Sequence, residues 1–160
     1  MGTEHFARLG ADDRISITVH FLALDKNSRL LRFGTPISDE SVARYVRAID
    51  FDRDIVEGVW DDERLVGVAH LGVYTDAGHP VGELGISVLP EARHQHLGQR
   101  LLARALLHAR LGQLKHVYVQ FLVRNRPMAR LASAFTDLVD RDFGEACATI
   151  DMEERMPIVA

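Results

Sequence analysis

The sequence predicts an α/β protein, a mixed central sheet with helices on both faces. Three observations predict it. In the second half of the chain, short apolar runs alternate with segments of helical periodicity, the pattern of layered strands and helices. One such run, residues 85–89, stops at Pro90, and a polar, basic loop leads from it into a helix. The 160 residues are 47% hydrophobic, enough for a substantial core. A single domain over residues 1–160 is expected, with its core at about 15–152.

Residues 1–14 show little periodicity and mixed charge, which reads as a loose tail. Residues 15–24 (ISITVHFLAL) are rich in β-branched and apolar types and read as a strand. Residues 25–28 form a turn and helix cap, and the short segment 29–33 must break at Gly34-Thr35-Pro36. Ser38-Asp39-Glu40-Ser41 offers N-cap candidates for a helix through Ile49, with Val42, Tyr45, Val46 and Ile49 as its apolar stripe. Residues 55–60 and 65–74 are two strands joined by the polar turn 61–64, a hairpin. Residues 75–80 form a loop, and residues 83–89 are the central strand.

Beyond it, Leu97, Leu101, Leu102, Ala105, Leu106 and Ala109 recur at three- and four-residue spacing, one apolar helical face. Arg100, Arg104, His108 and Arg110 are left mainly towards solvent. Gly112 is placed to cap that helix. Residues 116–123 (HVYVQFLV) lack clean polar alternation, as in a strand buried on both faces. Asn125 can cap a further helix with Pro127 in its first turn, and Met128, Leu131, Ala132, Phe135 and Leu138 as its core stripe. Residues 144–152 read as a final strand and 153–160 as a tail.

Composition removes several classes. A formal net charge of −4 and a pI near 6.0 argue against a nucleic-acid binder working through a broad basic field. Cys147 stands alone, which excludes a disulfide framework or a thiolate zinc cluster, and it reads as a small core residue in a strand. No apolar run approaches ~18 residues, so no membrane association and a cytoplasmic location are expected. Trp60, Phe21, Phe121 and Phe135 read as core, and Tyr45 and Tyr74 as packing. Asp50, Asp52, Asp54, Asp61, Asp62 and Glu63 read as solvated surface that can attract a cation.

The loop from Val88 to Gly98 is the candidate functional element. A helix opening at about Gly98 presents unpaired backbone N–H groups and the positive end of its macrodipole. With Arg93 in the loop before it, that is an anion site suited to phosphate. His94 and His96 form an H-x-H pair, but no third ligand lies at suitable spacing, so no metal is expected.

Arg93-His-Gln-His96-Leu-Gly98 resembles the R/Q-x-x-G-x-G/A signature of the GNAT N-acetyltransferase superfamily, with His96 at the signature's first glycine. The element order from about residue 15 to 152 is similar to that fold. It is a mixed, mostly antiparallel sheet of about six or seven strands with a splay between strands four and five, here 83–89 and 116–123. The resemblance implies acetyl-CoA as co-substrate, with its pyrophosphate held by the loop residues Arg93, His94, Gln95, His96, Leu97, Gly98, Gln99 and Arg100. It implies that Val88 and Leu89 meet the pantetheine through backbone groups, and that Asn125 meets the pantetheine or the acetyl end. It implies an amine acceptor, and it is compatible with a homodimer.

Glu83 is the candidate catalytic residue. It opens the central strand among apolar neighbours, where partial burial would suit it to take a proton from an ammonium. In the acetyltransferase domain of bacterial protein-lysine acetyltransferases, which this chain resembles most, a glutamate five residues before the strand's last valine is the general base. That spacing is Glu83 to Val88 here, and the upstream Arg32-Phe33 is similar too. The tyrosine that serves as general acid in the family is Ala132 here, with Thr136-Asp137 replacing a Gly-Phe pair, so no acid is assigned. The implied activity is acetyl transfer to a protein lysine or a small amine. The alternatives on the same fold are a non-catalytic acyl-CoA-binding regulatory module and a plain interaction domain.

Overall fold

The computed structural model describes residues 4–93 and 95–153. The first half of the chain runs β1 (Glu4–Arg8), α1 (Arg14–Leu22), α2 (Lys26–Phe33) and α3 (Asp39–Arg47). Three strands follow, β2 (Ile55–Asp61), β3 (Arg64–Asp76) and β4 (His79–Val88). The second half is α4 (Leu97–Leu111), β5 (His116–Leu122), α5 (Arg126–Ser133), β6 (Val139–Asp142) and β7 (Glu145–Asp151). Among the described residues the strands form one sheet in the order β1-β2-β3-β4-β5-β7-β6.

Local chemistry sets most boundaries. Asp25 accepts from the Ser28 N–H at 2.7 Å and caps α2, which ends on Gly34 at φ 77°, a left-handed position that glycine takes at no steric cost. Ser38 caps α3 in the same way, accepting from Ser41 N–H at 3.1 Å. Apolar residues of α4 at the expected spacing, Leu97 through Ala109, are all buried.

Every neighbouring pair of strands is antiparallel except β4 and β5. Those two pair in parallel only over Val81–Glu83 and His116–Tyr118, and beyond that they part. The gap is the splay. Helices α1, α2 and α3 cover one face, where His20 meets Ser87, Arg32 lies over Gly85 and Tyr45 meets His70. Helix α4 covers the other, with Leu101 over Gly67. A substituent there would sit 3.0 Å from Leu101.

Several expectations are corrected. Residues 15–24 lie in helix α1 and the turn after it, not in a strand. Their β-branched residues favour a strand, but Ile17, Phe21 and Leu24 fall on one helical face and are buried, while Ile15 and Val19 are 81% and 58% exposed. Tertiary burial overrides propensity. Residues 4–8 are a strand rather than a tail, because the edge of β2 offers a ladder from Glu4↔Asp61 to Arg8↔Glu57. The expected loop at 75–80 is a continuous hairpin turning on Ala77 and Gly78, both at positive φ. The same kind of turn at Phe143 and Gly144 joins the unexpected β6 to β7.

Strand β5 is buried at Val117, Val119 and Phe121 but not at the alternate positions, so it is not covered on both faces. Gly112 keeps a negative φ of −82°, and Gln113 takes the left-handed position. Leu138 is exposed and so is not core, while Trp60 is half-buried and packs against the core's edge. Arg104 and His108 are not simply solvated. Both reach back to the fully buried Glu57 carboxylate of β2, Arg104 donating at 3.1 Å and His108 Nε2 lying 2.7 Å from the other oxygen.

His20 predicts a pH dependence of stability. Its Nδ1–H donates to the Leu65 carbonyl at 3.0 Å and its Nε2 accepts from the Ser87 hydroxyl at 2.8 Å. Burial brings its pKa from 6.5 down to about 4. The unfolded chain therefore takes up the proton first as pH falls. The neutral ring's stabilisation is full above about pH 6.5 and is lost as pH drops toward 4. Urea unfolding should show a loss of about 2 kcal/mol between pH 7 and pH 5 that His20→Gln removes. Equal pH slopes in both proteins would contradict the assignment.

Candidate active site

The anion site is built by a backbone that turns twice. After β4, the Leu89 N–H bonds the Val66 carbonyl at 2.9 Å and a short 3-10 turn covers Pro90–Ala92. Gln95 and His96 then both take left-handed conformations, φ 55° and 56°. His96 is the N-cap of α4 with no side-chain cap, so the first-turn N–H groups at Leu97, Gly98 and Gln99 have no intrahelical partner. They open on a cleft of about 550 Å³. Its walls include Val88, Gln95 and His96 on one side and Asn125, Met128 and Leu131 on the other. The residues present fit a CoA pyrophosphate: backbone donors without intrahelical partners, a helix terminus, and apolar side chains of Val88, Met128 and Leu131 for the pantetheine.

The structure separates the expected loop residues. Val88, Arg93, Gln95, His96, Leu97, Gly98, Gln99 and Asn125 all line the cleft. Arg93 is folded back, donating to the Val88 carbonyl at 2.9 Å and to Ser28 Oγ at 3.1 Å, so it braces the loop. Asn125 caps α5, accepting from Met128 N–H at 3.3 Å, and borders the cleft at the same time. Arg100 does not line the cleft: its guanidinium stacks 4.4 Å over the Phe6 ring of β1. Leu89 is also outside the cleft, its side chain buried and both backbone groups bonded, to Val66 and Ala92. His94 lies outside the described residues.

A second cavity of about 900 Å³ adjoins the first, and Leu31 and Arg32 line both. Arg32 stands between them. Its guanidinium lies over the rings of Phe33, Phe21 and Tyr45, at 4.7, 5.4 and 5.6 Å. It occupies the room above Gly85, where an added Cβ would fall 2.4 Å from its Cζ. Any side chain at 85 would displace it.

Glu83 lines the second cavity, at the last paired position before β4 and β5 part. It is exposed, not partly buried as expected, because it faces open cavity and Gly72 opposite it has no side chain. Its carboxylate still acts on its neighbours. Burial first, then the Glu83 charge, push the Tyr74 hydroxyl above its ordinary value. Burial, then Glu83 and Asp140, push the Cys147 thiol up as well, which keeps Cys147 protonated and a poor nucleophile. Asp140, Asp142 and Glu145 of the β6–β7 hairpin line the same cavity. The cavity is rich in carboxylates and suits a cation.

His70, which lines the second cavity, escaped sequence reasoning, and Asp54 behind it was misread as surface. His70 of β3 sits in the wall, with Nε2 2.9 Å from Asp54 Oδ2 and Nδ1 hydrogen-bonded to the Tyr45 hydroxyl. Asp54 is not solvated surface but 3% exposed, accepting also from Arg53 Nε and Val73 N–H, each at 3.0 Å. Burial opposes its charge, but the bonds from Arg53, His70 and Val73 outweigh it and hold the carboxyl below its ordinary range. Burial holds His70 below its ordinary value, against the pull of Asp54. A histidine inside the apolar run Val66–Val73 was the available signal. The acids at 61–63 do not join this group. They occupy the end of β2 and the β2–β3 turn at the far end of the hairpin, roughly 23 Å or more from Asp54 at ~3.3 Å per residue.

No helix among the described residues is long and apolar enough to cross a membrane. A family model described as "Acetyltransferase (GNAT) family" matches residues 22–135. No curated protein matches the chain. Among solved structures, the GNAT domain of S. lividans PAT is 18% identical with a TM-score of 0.77, covering 94% of this chain and 91% of that one. Salmonella typhimurium yncA, solved with its cofactor acetyl-CoA, is 16% identical, TM-score 0.69, covering 95% of each chain. Spermidine N-acetyltransferase from Vibrio cholerae, in complex with CoA and spermine, is 21% identical, TM-score 0.65, covering 91% and 92%. At these identities the structures show the shared fold.

Proposed function

Because the chain belongs to the GNAT acetyltransferase family, which uses acetyl-CoA, we propose that it acetylates a primary amine, with Glu83 as general base. The observation that carries this reading is the meeting of two cavities at Arg32, beside the splay of β4 and β5. One presents helix N–H groups without intrahelical partners and the other a carboxylate at its edge. Acetyl-CoA supplies an activated thioester. Backbone donors at Leu97, Gly98 and Gln99 hold its anionic end, with Arg93 bracing the loop. Val88 and Asn125 border the path toward the splay.

On the acceptor side, the carboxylates of Glu83, Asp140, Asp142 and Glu145 attract an ammonium, and Glu83 takes a proton from it. The acceptor class is a cationic amine, a protein lysine or a small polyamine. Support for a polyamine comes from the Vibrio cholerae spermidine N-acetyltransferase, which shares the fold and was solved in complex with CoA and spermine. A cytoplasmic, homodimeric enzyme belongs to the same reading. A second reading, a CoA-binding module without turnover, is favoured by one observation. Ala132, fully buried, brings no hydroxyl to the site.

Titration calorimetry with acetyl-CoA tests the cofactor site. Micromolar binding is expected, retained in Gly98→Ala, since a Cβ there meets only Leu131 at an ordinary 3.8 Å, and lost in Gly98→Trp. Acetylation of spermine or of N-acetyl-lysine amide then separates an enzyme from a module. An absence of acetyl-CoA binding would leave an interaction domain.

A further inference from the structure

Resting on that acetyltransferase reading, we propose that Tyr45, His70 and Asp54 form a second proton-accepting chain at the acceptor cavity, alongside Glu83. The partners fix the direction of each proton in it. A guanidinium only donates and a carboxylate only accepts. Arg32 Nη2 lies 3.0 Å from the Tyr45 hydroxyl, so that oxygen accepts there. His70 Nε2 bonds Asp54 and must carry the hydrogen it donates. In the neutral ring Nδ1 is then the acceptor, and the Tyr45 O–H donates to it. Every proton points toward Asp54. The second lone pair of the Tyr45 oxygen has no partner among the described residues, and Tyr45 lines the cavity.

The chain is within reach of the same substrate nitrogen as Glu83. His70 pairs with Gly85 and Gly72 with Glu83, so His70 and Glu83 are diagonal neighbours on one sheet face, about 7–8 Å apart at Cα. Gly72 leaves the space between them open: a Cβ there would still lie 3.9 Å from His70 Nε2. His70 is faced by Arg32 of α2, Tyr45 of α3, Arg53 and Asp54 before β2, and Glu83 of β4. Burial, followed by Arg32 and Arg53, opposes its charging while Asp54 favours it, which leaves a neutral ring able to accept near neutral pH.

Acetylating an ammonium strips two protons from one nitrogen. The N–C bond forms and the C–S bond breaks, the electron pair leaving on sulfur, which takes a proton from water. Glu83 accepts one proton from nitrogen. The other passes to the Tyr45 oxygen while the Tyr45 proton moves to His70 Nδ1, and Asp54 stabilises the imidazolium until the chain returns the proton to solvent. Tyr45 is the member that touches substrate, and His70 and Asp54 act through it.

The test uses Tyr45→Phe and His70→Gln with spermine and N-acetyl-lysine amide as acceptors, and imidazole nitrogen NMR on the free protein. Expected results are a kcat at pH 7 lowered at least about tenfold in both variants and an unchanged KM for acetyl-CoA. The deficit narrows toward pH 9, where more of the amine is already neutral. His70 in the wild type should be the Nε2–H tautomer at pH 7. An unchanged kcat, a deficit equal at every pH, or an Nδ1–H tautomer would overturn the chain. If Glu83→Gln is impaired while both variants are not, the chain alone fails. If the wild type acetylates neither amine, the acetyltransferase reading fails and the chain falls with it.

Discussion

Glu83→Gln is expected to lower kcat near pH 7 by about a hundredfold and to leave acetyl-CoA affinity unchanged. The substitution keeps the side chain's size and removes its capacity to take a proton. Glu83 lines the acceptor cavity and not the CoA cleft, so binding of the cofactor does not depend on it. It is exposed and bonded to no other side chain by a salt bridge or capping role among the described residues, so stability should change by no more than about 0.5 kcal/mol. The loss should shrink as pH rises, because an acceptor that is already neutral needs no base. Steady-state rates from pH 6 to pH 9, with calorimetry of acetyl-CoA on the same variant, separate the two effects. Identical turnover across that range would remove Glu83 from the reaction.

The largest stability effect is expected at Phe21. Its ring is fully buried, edge-on to His20, Phe33 and Tyr45 with centroids at 5.4, 5.3 and 5.8 Å, and it lies beneath the Arg32 guanidinium. Phe21→Ala leaves a cavity where α1, α2 and α3 converge on the sheet, at a cost of about 3–5 kcal/mol. For a domain of this size that lowers Tm by about 10 °C. Phe21→Leu retains most of the volume and should cost about half as much. Because Arg32 and Tyr45 stand on this ring, the alanine variant should also lose activity at temperatures where it is still folded. A loss below about 1 kcal/mol by urea unfolding would mean that α1 does not pack as described.

Residues near one another in sequence carried most of the correct reading. The β2–β3 hairpin, the central strand, α4 and β5 follow from apolar runs, turn residues and three- and four-residue spacing. The helix starts at Asp25, Ser38 and Asn125 follow from side chains that bond their own backbone three residues on. The uncapped N-terminus of α4 was legible for the same reason, since a helix end needs no partner to present its N–H groups. Glu83 was legible as a position on a strand, but its exposure depends on the absent side chain of Gly72, a neighbour eleven residues back that only the register reveals.

The tertiary structure decided the rest. In α1, β-branched residues and helical spacing disagree, and the burial of Ile17 and Phe21 against β3 and α3 settled it. Strands β1 and β6 are too short and polar to be read alone, and exist because β2 and β7 offer them free edges. Asp54, in a run of acids, looked like solvated surface until His70, sixteen residues on, and the Val73 N–H came to it. Sequence determines what each segment can do by itself. Which charges are buried, and which are joined into a proton path, depends on contacts across the sheet that local periodicity does not encode.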